Sequence, residues 1–317
     1  MLTFICATPH KYNSYMLNIS RKIKWFFYKS FSMLSVIRGY NVLVVLVAQY
    51  VTSIFILSAK KSFRAVLFDE SLLCIVLASA ITIASGYIIN NFYDSEKDLI
   101  NRPQKYHLDR LVSQQTKLTI YFIANFIAVI VASYVSFRAV LFFSAYIFGI
   151  WLYSHKLKRI LLVKNLVATF LAILPFFAIF IYYKNYDPVI FVHATFLSLV
   201  IFMRELVKDL ENLRGDAAVG NSTLPIVYGE SMVKKILTGL SIACIVTAMV
   251  LVYAFPLGKM HYFFWMTTGV LLIFSMLLRK SNTKKQYVIL HNLLKFVIVV
   301  GVFSIMLIEL SWLKRLY

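Results

Sequence analysis

The sequence predicts an all-α polytopic membrane protein, nine helices crossing a bilayer and packed as a bundle. Of its 317 residues, 61% are hydrophobic and only 15% are charged; an ordinary soluble domain carries about 25%. The mean hydropathy is +0.78. The apolar residues also fall in runs of about 20, the length a helix needs to cross the hydrocarbon. These runs are too continuous for the in–out alternation of a membrane β-barrel strand. The same figures exclude a soluble globule, a disordered chain, collagen and a disulfide scaffold. Cys6, Cys74 and Cys244 are odd in number and widely spaced, so neither a disulfide framework nor a metal-ligand spacing follows.

Nine spans follow in order, each bounded by basic residues. The first, 41–58, lies between Arg38 and the group Lys60, Lys61 and Arg64. The second, 70–92, ends ahead of Lys97 and Arg102. Spans 117–136 and 138–154 are divided only by Arg138, and the latter is short. Lys156, Lys158 and Arg159 precede 161–183, and Lys184 closes it. Span 189–206 runs into Lys208, and 234–255 starts at Lys234 and Lys235. Lys259 precedes 261–278, and Arg279, Lys280, Lys284 and Lys285 separate it from 288–312, which contains Lys295. No internal repeat stands out beyond this alternation.

Basic residues outnumber acidic ones 33 to 13, a net charge of +20. In a membrane protein this excess reports orientation and contact with anionic lipid headgroups, not nucleic acid. Most of it falls in alternate segments: before 41, at 97–117, 156–164, 204–235 and 279–285. The positive-inside rule puts those segments, and the N-terminus, in the cytoplasm and the C-terminus outside. The expected location is a bacterial inner (plasma) membrane. Residues 1–32 read as a basic N-terminal extension ahead of a membrane domain at 33–317. Within it, Asn18–Phe31 alternates Arg21, Lys22, Lys24 and Lys29 with Ile19, Ile23, Trp25, Phe26, Phe27 and Phe31. That pattern suits an interfacial helix on an anionic leaflet; a poorly ordered tail, or a start at Met33, is the alternative.

More than half of the 13 acidic residues crowd into two segments, at the cytoplasmic ends of the second and sixth spans. In Asn90-Asn91-Phe92-Tyr93-Asp94-Ser95-Glu96-Lys97-Asp98, residues Asn90, Asp94 and Asp98 are four apart and share a helix face. In Arg204–Asp216, residues Asp209 and Asp216 lie two turns apart with Asn212 between them on nearly the same face. Two facing stripes of oxygen donors suit Mg²⁺, which takes one or two carboxylates and completes its shell with water and phosphate oxygens. Arg102, Lys105, Arg110, Lys156, Lys158, Arg159, Lys208 and Arg214 surround them. A metal with Lys and Arg is the usual clamp for a diphosphate leaving group. The residues thus point to a metal-dependent intramembrane enzyme acting on a lipid diphosphate. A transporter is a more distant alternative, since transporters place polar groups near the midplane on broken, repeated helices.

At these segments the chain resembles the UbiA superfamily of intramembrane prenyltransferases. Asn90, Asp94 and Asp98 match its N-x-x-x-D-x-x-x-D signature, followed by Asn101-Arg102-Pro103 and Arg110-Leu111-Val112-Ser113. Lys208–Asp216, with Gly220 and Thr223-Leu224-Pro225, is similar to its second signature. Tyr153–Arg159 looks like the Y-S-x-x-L-K element after the fourth helix, and Arg38-Gly39-Tyr40-Asn41 like the R-P-x-N opening of the first. Two residues depart from the pattern: Asn212, where many members have Asp, and Gly39, where they have proline.

The resemblance implies a helical bundle around a central cavity opening to the cytoplasm, and Mg²⁺-dependent transfer of a polyprenyl group from its diphosphate. Asn90, Asp94, Asp98, Asp209, Asn212 and Asp216 would bind metal, with Asp94, Asp98, Asp209 and Asp216 the catalytic carboxylates. Asp98 has the alternative role of orienting the acceptor. Arg38, Asn41, Arg102, Lys156, Lys158, Arg159 and Lys208 would bind substrate. The second segment looks closest to the branch that prenylates geranylgeranylglyceryl phosphate, forming an ether. The alternative acceptor is an aromatic ring of quinone biosynthesis, such as 4-hydroxybenzoate, homogentisate or dihydroxynaphthoate.

Overall fold

The computed structural model describes residues 24–58 and 61–308. Part of the basic extension, the segment 18–23, and the C-terminal Lys314 and Arg315 lie outside these residues. From the described start, α1 spans 24–36 and exposes Trp25, Phe26, Phe27, Tyr28 and Phe31. A left-handed turn at Arg38 (φ 51°) leads into α2 (Gly39–Thr52), which is extended by a π-turn at Ser53–Leu57. Then come α3 (Phe63–Leu67), α4 (Glu70–Tyr93), α5 (Ser95–Asn101), α6 (Pro103–Asp109), α7 (Gln114–Ser133) and α8 (Phe137–His155). They are followed by α9 (Val163–Tyr183), α10 (Pro188–Glu211), α11 (Leu213–Ala218), α12 (Leu224–Ala254), α13 (His261–Lys280) and α14 (Lys284–Ser304).

Among the described residues, nine helices are long and apolar enough to cross a membrane. They match the nine expected runs, with one informative difference. The seventh begins at Leu224, ten residues ahead of the expected start at Lys234, and breaks at Gly229 (φ 79°, ψ 159°). Only glycine adopts that conformation without strain. The apolar run marked the helix after the break, and the turn ahead of it is set by Pro225 at its start.

The helices pack in two groups. One core joins α10, α12, α13 and α14 through residues such as Val200, Met203, Leu237, Phe264, Phe274 and Leu294. The other joins α2, α4, α8 and α9 through Leu72, Ile75, Phe143 and Ile179. Outward faces remain apolar: Phe122 and Phe126 on α7 and Met276 on α13 are about two-thirds exposed. In water such a surface would be an aggregation liability; here it meets lipid. With no water available, backbone breaks must be satisfied internally. Pro175 inside α9 removes the N–H that would reach the Leu171 carbonyl. The Tyr146 hydroxyl donates to that carbonyl instead, at 3.0 Å, and Gln49 Nε2 donates to the Pro175 carbonyl at 2.8 Å.

Between the two groups lies a cavity of ≈ 340 Å³. Its walls come from α2, α4, α9, α10, α13 and α14 and are mostly aliphatic and aromatic, including Val45, Phe176, Leu197 and Phe263. Its polar lining includes Tyr40, Asn41, Thr52, Tyr87, Tyr146, His193, Arg204 and Lys295.

Candidate active site

Each acidic segment is a bent helix end. The helix α4 stops at Tyr93, and Asp94 (φ −92°, ψ 8°) turns the chain into α5. The helix α10 stops at Glu211, and Asn212 (φ −101°, ψ 11°) turns it into α11. Both junctions occupy the same sparsely populated bridge region of backbone space. The four-residue ladder survives both bends. Asp94 N–H donates to the Asn90 carbonyl (2.9 Å), Asp98 N–H to that of Asp94 (2.8 Å), and Asp216 N–H to that of Asn212 (3.0 Å). The four-residue register is therefore continuous through the bend from Asn90 to Asp98 and from Asn212 to Asp216.

Asn101, at the end of α5, joins the two segments. Its Nδ2 donates to the Asn212 carbonyl at 3.4 Å, and its Oδ1 accepts from Gly215 N–H at 3.2 Å. The approach is so close that a Cβ on Gly215 would lie 2.2 Å from Asn101 Nδ2. Lys97, between the two acids of the first segment, reaches Asp216 Oδ1 at 2.6 Å. Lys284 of α14 donates to the Asn101 carbonyl.

Three lysines neutralise the central acids. Lys158 holds Asp94 Oδ1 at 2.6 Å and lies 5.5 Å over the Tyr93 ring. Lys164 pairs with Asp209, whose other oxygen accepts from Asn165 Nδ2 at 2.8 Å, and stands 3.9 Å from Asp216. Lys97 and Asn221 hold Asp216. Asp209, Asn212 and Asp216 are all buried. Burial alone would raise the Asp94 carboxyl, but Lys158 and Lys97, with Lys208, hold it below the ordinary carboxylate range. Asp98 goes the other way, pushed up by burial and by the Asp94 charge against the pull of Lys105, Arg38 and Arg102. Tyr153 lies within electrostatic reach of Asp94, Glu205, Asp209 and Asp216.

The other expected substrate residues divide. Arg38 lies 5.1 Å from the Tyr87 ring centroid, and Asn41 donates to the Tyr87 hydroxyl at 3.3 Å; Asn41 and Tyr87 both line the cavity. Arg102 is held by Glu211 at 2.7 Å, and Lys208 by Glu205 at 3.1 Å. Lys156 and Arg159 are exposed, away from these pairs, whereas Lys158 between them turns inward. Sequence reasoning overlooked Lys97, Asn101, Lys164 and Asn165 as site residues. Their signal was present: Lys97 sits inside the acidic motif, and Lys164-Asn165 is a polar pair opening an otherwise apolar span.

The donors fit a hard cation. Asn90 Oδ1 and Asp216 Oδ2 are buried oxygens without a hydrogen-bond partner. Among the described residues no three of His, Cys, Asp or Glu converge on one point. An ion here would draw on one or two carboxylates and take its other ligands from phosphate and water, the habit of Mg²⁺.

A lipid-embedded bundle with two carboxylate-bearing helix ends clasped beside an apolar cavity is the architecture of an intramembrane transferase of long hydrocarbon chains. The UbiA prenyltransferase family model matches residues 33–312, and the chain belongs to that family. It is an integral membrane enzyme, a prenyltransferase. Digeranylgeranylglyceryl phosphate synthase of Thermococcus sibiricus is 31% identical over 227 residues, 70% of this chain and 79% of the relative. The Methanobrevibacter smithii enzyme of the same name is 27% identical over 263 residues, 78% and 88% of the two chains. The fold is also that of a solved digeranylgeranylglyceryl phosphate synthase, with TM-score 0.65 and 18% identity over 88% of this chain and 97% of the other. It matches a UbiA homolog from Archaeoglobus fulgidus bound to GPP and Mg²⁺, with TM-score 0.64 and 14% identity over 86% and 99%. The organisms named are archaea, in contrast to the bacterial membrane expected above.

Proposed function

We propose that this enzyme transfers a geranylgeranyl-type chain from its diphosphate to geranylgeranylglyceryl phosphate, forming an ether bond, with Mg²⁺ and on the cytoplasmic face of the membrane. The observation that carries the reading is the joining of the two bent helix ends, through Asn101 and Lys97, next to the apolar cavity. The synthases among its relatives favour the glyceryl phosphate acceptor.

Asn90, Asp94 and Asp98 present oxygens from one segment, and Asp209, Asn212 and Asp216 from the other. When bound, Mg²⁺ supplies Lewis-acid stabilisation to the departing diphosphate. Lys97, Lys158 and Lys164 are flexible point charges already beside those oxygens, so phosphate can take them over from the carboxylates. The apolar walls hold the chain and keep water from the allylic carbon. The acceptor hydroxyl attacks carbon one, the allylic C–O bond breaks, diphosphate leaves, and the hydroxyl proton passes to a carboxylate of the cluster or to solvent. No covalent enzyme intermediate is required.

The test is diphosphate release from geranylgeranyl diphosphate by purified protein, with and without Mg²⁺, across an acceptor panel. Geranylgeranylglyceryl phosphate should support turnover that a chelator abolishes. Turnover with 4-hydroxybenzoate, homogentisate or dihydroxynaphthoate alone would reassign the enzyme to aromatic prenylation.

A further inference from the structure

Lys295 is a cation inside a membrane span, a costly placement that calls for a function. It lines the cavity on α14, as Arg204 does on α10. His291 touches Glu211 at 3.2 Å. Lys295, one turn or about 6 Å further along α14, therefore lies deeper in the bundle, at a level between Glu211 and Arg204. The charged groups within electrostatic reach of it are Arg204, Arg38, Arg102 and Glu211.

The local charge does not balance. Glu211 is already shared by Arg102 and His291, and Glu205 by Arg204 and Lys208. Asp98 is the next acid, facing Lys105, Arg38 and Arg102. No ion pair or hydrogen bond involves Lys295 among the described residues, and the buried Arg204 Nε has no acceptor. Lys295 therefore lines the cavity with no anion in contact, and on the neighbouring helix Arg204, whose Nη2 reaches Glu205, keeps an unmet Nε donor. The lysines at the Asp-rich site differ, because each of those has its own carboxylate.

We propose that Lys295 and Arg204, on the wall of the apolar cavity, form a second anion site that takes the phosphomonoester of a lipid acceptor. The site is separate from the diphosphate clamp at Asp94, Asp209 and Asp216. This deepens the proposed function and rests on it. A phosphomonoester dianion matches two cations, and its hydrocarbon lies along the same cavity. An aromatic or unphosphorylated acceptor would leave Lys295 unpaired in the membrane.

The experiment measures binding of a long-chain alkylglycerol phosphate and of the matching alkylglycerol to the purified full-length protein, by thermal shift. Wild type, Lys295→Met and Lys295→Arg are compared, with inorganic phosphate as a separate ligand. Wild type should prefer the phosphorylated lipid. Lys295→Met should weaken that ligand about ten- to a hundredfold, the loss of one charge-assisted hydrogen bond, and leave the alkylglycerol unchanged. Lys295→Arg should restore the preference. In turnover, Lys295→Met should raise the acceptor KM and spare that of geranylgeranyl diphosphate. Equal binding of both lipids by wild type overturns the proposal, as does an equal rise in both KM values, which would assign Lys295 to the leaving group. Inorganic phosphate binding as tightly as the lipid would make this a free-anion site and overturn it too. Absence of turnover with geranylgeranylglyceryl phosphate, with the binding preference intact, would instead refute the proposed acceptor and leave the anion site standing.

Discussion

Gly215→Ala is the substitution that separates helix propensity from site geometry. Gly215 lies in α11, and in a helix the change from glycine to alanine ordinarily stabilises by about 1 kcal/mol. Here the new methyl would stand 2.2 Å from Asn101 Nδ2, 2.6 Å from its Cγ and 2.8 Å from its Oδ1. Carbon contacts settle near 3.5–4 Å, so Asn101 or α11 must move by about 1 Å or more. The move breaks the hydrogen bond that Gly215 N–H donates to Asn101 Oδ1 and the one that Asn101 Nδ2 donates to the Asn212 carbonyl. Each is worth about 1 kcal/mol, so the two losses outweigh the helix gain by only about 1 kcal/mol. The geometric cost is larger. The clasp holds Asp94 and Asp98 against Asp216, and a misplacement of about 1 Å at a reacting centre costs on the order of 100-fold in rate.

We therefore expect a melting temperature in detergent lower by only about a few degrees, a roughly 100-fold slower Mg²⁺-dependent release of diphosphate, and a higher Mg²⁺ concentration for half-activity. Asn101→Ala should lose activity alone, and adding Gly215→Ala to it should cost little more, because the two residues share one contact. Wild-type turnover and unchanged Mg²⁺ dependence in Gly215→Ala would refute the clasp. A collapse in melting temperature would show that the contact serves folding instead.

Asp94→Ala and Asp216→Ala should each reduce turnover by orders of magnitude, since each removes charge that steadies the departing diphosphate; full activity in Asp94→Ala would end the metal-site reading. Asn212→Asp should lower the Mg²⁺ needed for half-activity if the side chain stands in for a carboxylate, and should abolish turnover if its amide N–H₂ is required. By helical angle Glu211 projects about 100° from the Asn212 face, which reads as a bystander. It is instead buried between Arg102 and His291, so Glu211→Ala should lower the melting temperature and free Arg102; an unchanged melt would count against it. For topology, cysteine at Gln104 or Gly220 should react with an impermeant thiol reagent only from the cytoplasm, and at Tyr186 only from outside. Labelling of all three from one side would overturn the orientation.

The spans were legible because hydrocarbon imposes one strong constraint, length and apolarity, that local sequence carries in full. The site was half legible. Four-residue spacing placed Asn90, Asp94 and Asp98 on one face, and the hydrogen-bond ladder keeps them there through a bend that spacing does not foretell. Which basic residues serve the site was harder to read. Lys156, Lys158 and Arg159 are equal in composition, and only the turn after α8 decides that Lys158 faces Asp94 while its neighbours face outward. Lys164 was masked by its position: at the edge of an apolar run it satisfies the positive-inside pattern, and nothing local distinguishes a topology signal from an Asp209 partner. Asn101 and Gly215 are over a hundred residues apart in the chain, so their contact is a tertiary fact.

Along α10 the charges are layered, and the layering sets how a charged lipid would lie in the site. Asp209 and Asp216 stand at the helix end with Lys164 and Lys97. About one turn deeper, Glu205 is shared by Arg204 and Lys208, with Lys295 unpaired opposite. In the outer layer each central acid has its own lysine, so the charge there is balanced; the inner layer has more cations than acids and draws anions. Between apolar helices such a field is weakly screened, so a separation of a single turn still tells on a ligand. Two phosphorylated substrates sharing one apolar cavity would repel each other unless their phosphates had separate anchors. A diphosphate held at the outer layer and a phosphomonoester at the inner one would meet that requirement, with the hydroxyl and the allylic carbon brought together where the two chains converge.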